Sequence, residues 1–116
     1  APIGPYNQAV KANGFIFISG QIALDPVTGE TVTTSIEEET HLVMKNIAAI
    51  LIEAKISFSH IVKTTILLSD MSLFSKVNEV YGSYFTDMPP ARETFAVKGL
   101  PRGVNVEIST TAVVEL

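Results

Sequence analysis

Ile61-Val62-Lys63-Thr64-Thr65-Ile66-Leu67-Leu68-Ser69 is the stretch that decides the architecture. It is β-branched and mostly apolar on both faces, as a strand inside a sheet should be. A helical pattern lies on either side of it. Upstream, Ser35-Ile36-Glu37-Glu38 fits a capping box, with Ser35 bonding an orphan N–H and Glu38 reaching back. Glu37, Glu38 and Glu39 sit where the helix dipole favours negative charge. Val43, Ile47, Ile50, Leu51 and Ala54 follow at helical spacing, which predicts a helix over about 36–55. Downstream, Leu73, Phe74, Val77, Val80, Tyr81, Tyr84 and Phe85 form the stripe of a second helix, which Pro89-Pro90 ends.

Strand patterns flank the helices. Residues 9–12 and 15–19 are separated by Asn13-Gly14, the pair that suits both positive-φ positions of a type I′ hairpin turn. Asp25-Pro26-Val27-Thr28-Gly29 is a turn cluster. Two further strands are expected at about 92–97 and 104–114, joined by Lys98-Gly99-Leu100-Pro101-Arg102-Gly103. The order ββαβαββ predicts an α+β fold in a single domain, 1–116, with two helices covering one face of one sheet. The other face then needs a partner. Chain order alone pairs the last two strands as a hairpin, with Arg92 and Glu107 diagonally adjacent at roughly 7–8 Å.

Composition bounds the function. The 116 residues are 47% hydrophobic and 17% charged, below the ~25% charge of typical soluble domains. So little charge covers a small surface poorly and points to self-association. Formal net charge is −4, with no basic run, so nucleic acid is a poor partner. Ile47-Ala48-Ala49-Ile50-Leu51-Ile52 is far short of the ~20 apolar residues that span a bilayer. No signal peptide is recognisable, and the expected location is cytoplasmic. The absence of cysteine excludes disulfides and thiolate chemistry. There is no phosphate-binding glycine loop and no serine-nucleophile elbow, and His41 and His60 lack ligand spacing, so no metal or cofactor is expected.

A sparse set remains. Arg92, among small and apolar neighbours, is either a structural ion-pair partner or a fork for a carboxylate. Glu107 sits on the polar face of the last strand, either solvated or chemical. Tyr6 reads as a packing aromatic, and Asn78 as a helix residue off the apolar stripe. An arginine and a glutamate without a nucleophile suit holding a small organic acid and steering a water; they do not name a reaction.

Several segments together resemble the Rid family of reactive intermediate deaminases (RidA or YjgF-like proteins). They are Ala1-Pro2-Ile3-Gly4-Pro5-Tyr6-Asn7-Gln8-Ala9, Phe17-Ile18-Ser19-Gly20-Gln21-Ile22 and Asp25-Pro26-Val27-Thr28-Gly29-Glu30. Ile61-Val62-Lys63-Thr64-Thr65, Val77-Asn78-Glu79-Val80-Tyr81, Pro90-Ala91-Arg92, Leu100-Pro101 and Val106-Glu107-Ile108 continue the match along the chain. The sequence begins inside the motif, without the short strand that usually precedes it.

The resemblance implies a chorismate-mutase-like α+β fold, one mixed sheet with two helices on one face, assembled as a homotrimer with sites in clefts between subunits. It slots the final strand between earlier ones, so that Arg92 and Glu107 converge across a subunit boundary. It implies hydrolysis of 2-imino or 2-enamino acids, such as 2-iminobutanoate and 2-iminopropanoate, to 2-keto acids and ammonia without a cofactor. Arg92 resembles the arginine that grips the substrate carboxylate, and Glu107 the acid that orients water and shuttles a proton. Tyr6, Ser19, Gly20, Asn78 and Thr94 match positions lining the cleft.

Two positions depart from the pattern. Glu93 stands beside Arg92, and strand alternation should turn it away; Thr94 occupies a position often held by cysteine. Rival readings are a non-catalytic carboxylate-binding or regulatory module on the same scaffold, and a translation or ribonuclease activity, which the acidic charge disfavours.

Overall fold

The computed structural model describes residues 7–115. Strands β1 (Ala9–Ala12) and β2 (Phe15–Gln21) form the expected hairpin, with Asn13 at φ 51° and Gly14 at φ 81°. Helix α1 spans Ile36–Glu53; Ser35 Oγ accepts from the Glu38 amide at 3.1 Å, as the cap pattern requires. Glu38 completes the cap differently from the expected box, since its carboxylate accepts from the Thr34 hydroxyl. The helix stops short of residue 55 because Lys55 lies at φ 63°, where a helix cannot continue. Strand β3 (Ile61–Leu68), helix α2 (Phe74–Gly82), strand β4 (Ala91–Ala96) and strand β5 (Val106–Val113) complete the order.

The five strands form one sheet in the order β1-β2-β5-β3-β4. Only β3 and β4 run parallel, with α2 in their crossover; the other neighbours are antiparallel, so the sheet is mixed. This overturns the hairpin of 92–97 with 104–114. β5 inserts between β2 and β3, and β4 is left at the edge. The insertion covers β5 on both edges, which suits a strand that alternates buried and half-buried along its whole length. β4 carries Arg92 and Glu93, charges typical of an edge strand.

Both helices pack on one face. Ile16, Ile18, Ile66, Leu68, Val106, Ile108 and Ala112 from the sheet are buried with Val43, Met44, Ile47 and Leu51 of α1 and Val77 and Tyr81 of α2. The opposite face shows Val10, Phe15, Phe17 and Phe95, between 40% and 54% exposed. Among the described residues nothing covers this aromatic surface, as expected where two helices pack on one face of the sheet.

Candidate functional site

Arg92 stands on the edge strand opposite Thr64 of β3, a buried residue on the helix face. Its side chain therefore rises beside α2. Arg92 Nη1 donates to Asn78 Oδ1. The guanidinium carbon lies 5.5 Å from the centre of the Phe74 ring and 5.4 Å from that of Tyr81, within cation–π range. Tyr81 is fixed in turn, its hydroxyl donating to Thr64 Oγ1 at 3.0 Å. Desolvation raises the pKa of that phenol, with the Thr64 bond and the Arg92 charge opposing the shift. No carboxylate pairs with Arg92 among the described residues. One amide and two rings hold the fork, which leaves donors for an incoming anion.

Asn78 is thus not the solvent-facing residue that the helix pattern suggests. Phe74, Asn78 and Tyr81 are spaced i, i+4, i+7 and share one line along α2. That spacing is visible in the sequence, but the aromatic residues read there as core. Nothing in that pattern marks Phe74 and Tyr81 as a seat for a cation.

Glu107 lies on the other side of the sheet. It pairs with Leu67, whose neighbours Ile66 and Leu68 point into the core, so Glu107 faces away from the helices. Here β2 is irregular: its register against β5 shifts between Ile18 and Gln21, at Ser19-Gly20. The Glu107 side chain crosses Gly20 so closely that a Cβ there would sit 2.7 Å from Glu107 Cδ and 2.9 Å from Cγ. Gly20 is required as absent volume, not for its backbone angles. Burial against this bulge raises the Glu107 pKa. Among the described residues, no hydrogen bond holds the carboxylate.

Arg92 and Glu107 therefore occupy opposite faces of one sheet. They are three residues apart along the strands and two strands across, about 10 Å by about 9.6 Å in the sheet plane. Within a single chain they do not converge.

The remaining candidates divide between these two places. Thr94 pairs with Ile66 and shares the helix face with Arg92; its Oγ1 is buried without a hydrogen-bond partner among the described residues. Ser19, beside Gly20, is tied to Gln8 O through its amide at 2.9 Å and its Oγ at 3.0 Å. Tyr6 lies outside the described residues.

Glu93 points away from Arg92, as strand alternation requires. It accepts from Thr65 Oγ1 at 2.7 Å and pairs with Lys63 Nζ at 3.1 Å. The Thr65 hydrogen bond, then Lys63, lowers its pKa. This neighbour does not neutralise the fork.

The histidines, which lack ligand spacing in the sequence, take part in structural hydrogen bonds. His60 Nδ1 accepts from the Ser57 amide at 3.2 Å, and His41 Nδ1 lies 2.9 Å from the Tyr84 hydroxyl. Arg102 likewise donates to Gly29 O at 3.0 Å. Among the described residues, no three His, Asp or Glu side chains gather to hold a metal ion.

Comparison with known proteins identifies the family. Residues 1–114 match the family model described as Endoribonuclease L-PSP. A mouse protein named 2-iminobutanoate/2-iminopropanoate deaminase is 48% identical over 113 residues, covering 97% of this chain and 84% of its own. A solved Rid family protein from Yersinia pestis superposes with TM-score 0.94 at 44% identity, covering 97% of this chain and 90% of that one. TdcF of E. coli, solved with bound serine, gives TM-score 0.91 at 36% identity, covering 97% and 90%. With the family model spanning almost the whole sequence and the fold shared with such a neighbour, the chain belongs to the Rid family of RidA/YjgF-like proteins.

Proposed function

We propose that this protein is a cofactor-independent deaminase of small 2-imino acids, completed by association of identical chains into a homotrimer. The observation that carries the reading is the Arg92 fork, seated on Asn78, Phe74 and Tyr81 with no carboxylate of its own among the described residues. A 2-imino acid supplies that carboxylate, and a guanidinium binds it through two parallel hydrogen bonds. The name of the mouse relative and the serine in E. coli TdcF support a small amino-acid-like ligand.

Arg92 of one subunit and Glu107 of a neighbour act together in this reading, because within one chain they lie on opposite faces. The exposed sheet face with Phe15, Phe17 and Phe95 supports an assembly that covers it. A protonated imine is already a strong electrophile, so the protein has to position it and supply a base. The Glu107 carboxylate takes a proton as water attacks the imine carbon, forming the C–O bond and a neutral carbinolamine. Glu107 then returns that proton to the amine. The C–N bond breaks, ammonia leaves, and the hydroxyl proton passes to Glu107 as the ketone forms.

The test is to generate 2-iminobutanoate with a threonine dehydratase and follow its loss with and without the protein. Faster conversion to 2-ketobutanoate and ammonia is expected. Unchanged decay with 2-ketobutanoate still bound would replace the deaminase with a carboxylate-binding module. Gly20→Ala adds a local check. Its new Cβ meets the flexible end of Glu107, so melting should change little while kcat falls at least about 10-fold through misplacement of the base. Retention of full kcat would separate the Glu107 position from catalysis.

A further inference from the structure

The most completely buried carboxylate in the described chain is not that of Glu107. Glu39, in the first turn of α1, is 0% exposed. From the sequence it reads as one of three acids stabilised by the helix dipole. Its spacing says more, since Glu39, Val43 and Ile47 follow one another at i, i+4, i+8 and so lie on the core-facing line.

Glu39 Oε2 accepts from the Asn105 amide at 2.7 Å and the Val106 amide at 3.1 Å; Oε1 accepts from Asn105 Nδ2 at 2.8 Å. Burying a carboxylate is costly, and three donors offset that cost. These donors stand at one place, the entry to β5, immediately before Glu107.

The sheet explains why an acceptor is needed there. The last pair between β2 and β5 is Gln21 with Ile108, so β2 provides no ladder partner for Val106 or Asn105. On the other edge, β3 still pairs Leu68 with Val106 and Leu67 with Glu107. Glu39 accepts the amides where β2 has run out. Asn105 extends the clamp, its carbonyl accepting from the Ser69 amide at 3.0 Å and its Oδ1 from the Ser69 hydroxyl at 3.2 Å.

We infer that Glu39 is a positioning residue for Glu107: by clamping the Asn105–Val106 backbone, it fixes where the Glu107 side chain crosses Gly20. This role rests on the proposed deaminase. Glu107 depends on it because no hydrogen bond among the described residues holds its carboxylate. Its place is set by its backbone and by contact with Gly20. A shift of the strand entry moves the base itself, and misplacement of about 1 Å can cost about 10²-fold in rate.

The test compares wild type, Glu39→Ala and Glu39→Gln, each confirmed folded by melting and light scattering. Glutamine keeps an acceptor for the two amides, and Asn105 can turn its amide to meet the new NH₂. With 2-iminobutanoate, Glu39→Ala should lower kcat about 10- to 100-fold with KM within about 2-fold, and Glu39→Gln should restore kcat to within about 3-fold. A folded Glu39→Ala protein with wild-type kcat overturns the inference, as does a rise in KM alone.

A second readout needs no turnover. The Glu107 carboxyl signal, followed by ¹³C NMR across pH, should change its midpoint in Glu39→Ala and recover it in Glu39→Gln. Identical curves in all three proteins overturn the positioning role. A wild type that does not accelerate imine loss overturns the deaminase reading alone, and the carboxyl signal still decides whether Glu39 places Glu107.

Discussion

Arg92→Ala is expected to reduce kcat/KM for 2-iminobutanoate by about 30- to 5,000-fold, the range for removing one partner of a desolvated charge pair worth about 2–5 kcal/mol. The loss should appear in both KM and kcat. A substrate without its carboxylate anchor binds weakly, and when bound it no longer presents the imine carbon to water. The fold should persist, because Arg92 is exposed in the chain and its hydrogen bond to Asn78 is a surface contact. Arg92→Lys separates charge from geometry: it keeps a cation but lacks the planar fork and seats poorly between Phe74 and Tyr81. It should recover only part of the activity. Near-wild-type turnover by a folded Arg92→Ala protein would remove the fork from the mechanism.

How readily each feature could be read depended on how local its cause was. The Asn13-Gly14 turn, the Ser35 cap and the two-faced apolar β3 are each specified within a few residues, and all were legible. The position of β5 was not, since the 98–103 connection resembles a hairpin loop and strand alternation does not say which edge a strand joins. Arg92 and Glu93 were the available clue, because adjacent charges mark β4 as an edge strand. Resemblance to a known family placed β5 correctly where periodicity did not.

The candidate site divides the same way. Arg92 and Glu107 stand out because charges are scarce in this chain, but their opposite faces follow from a register between strands distant in sequence. The crossing of Glu107 over Gly20 depends on a bulge in β2 and could not be seen from either residue alone. Glu39 was legible in part. Its line with Val43 and Ile47 marks it as inward-facing, but its partners lie 66 and 67 residues away.

Glu107→Gln is the counterpart to the arginine variant, and it should divide the kinetic constants differently. Glutamine is nearly isosteric and crosses Gly20 with the same reach, so 2-ketobutanoate should bind with little change. The amide cannot accept a proton from water, and loss of general acid–base help should lower kcat by about 10²–10⁴-fold. The pH profile supplies a second signature. Burial raises the Glu107 pKa, and only its deprotonated form can serve as the base. After subtraction of uncatalysed imine decay, wild-type kcat should therefore fall as pH drops through that raised midpoint, at a higher pH than an exposed glutamate would give. The residual rate of Glu107→Gln should be flat across the same interval. If Glu107→Gln keeps the wild-type rate, or shows the same acid limb, another group carries the proton and Glu107 is only a strand residue passing over Gly20.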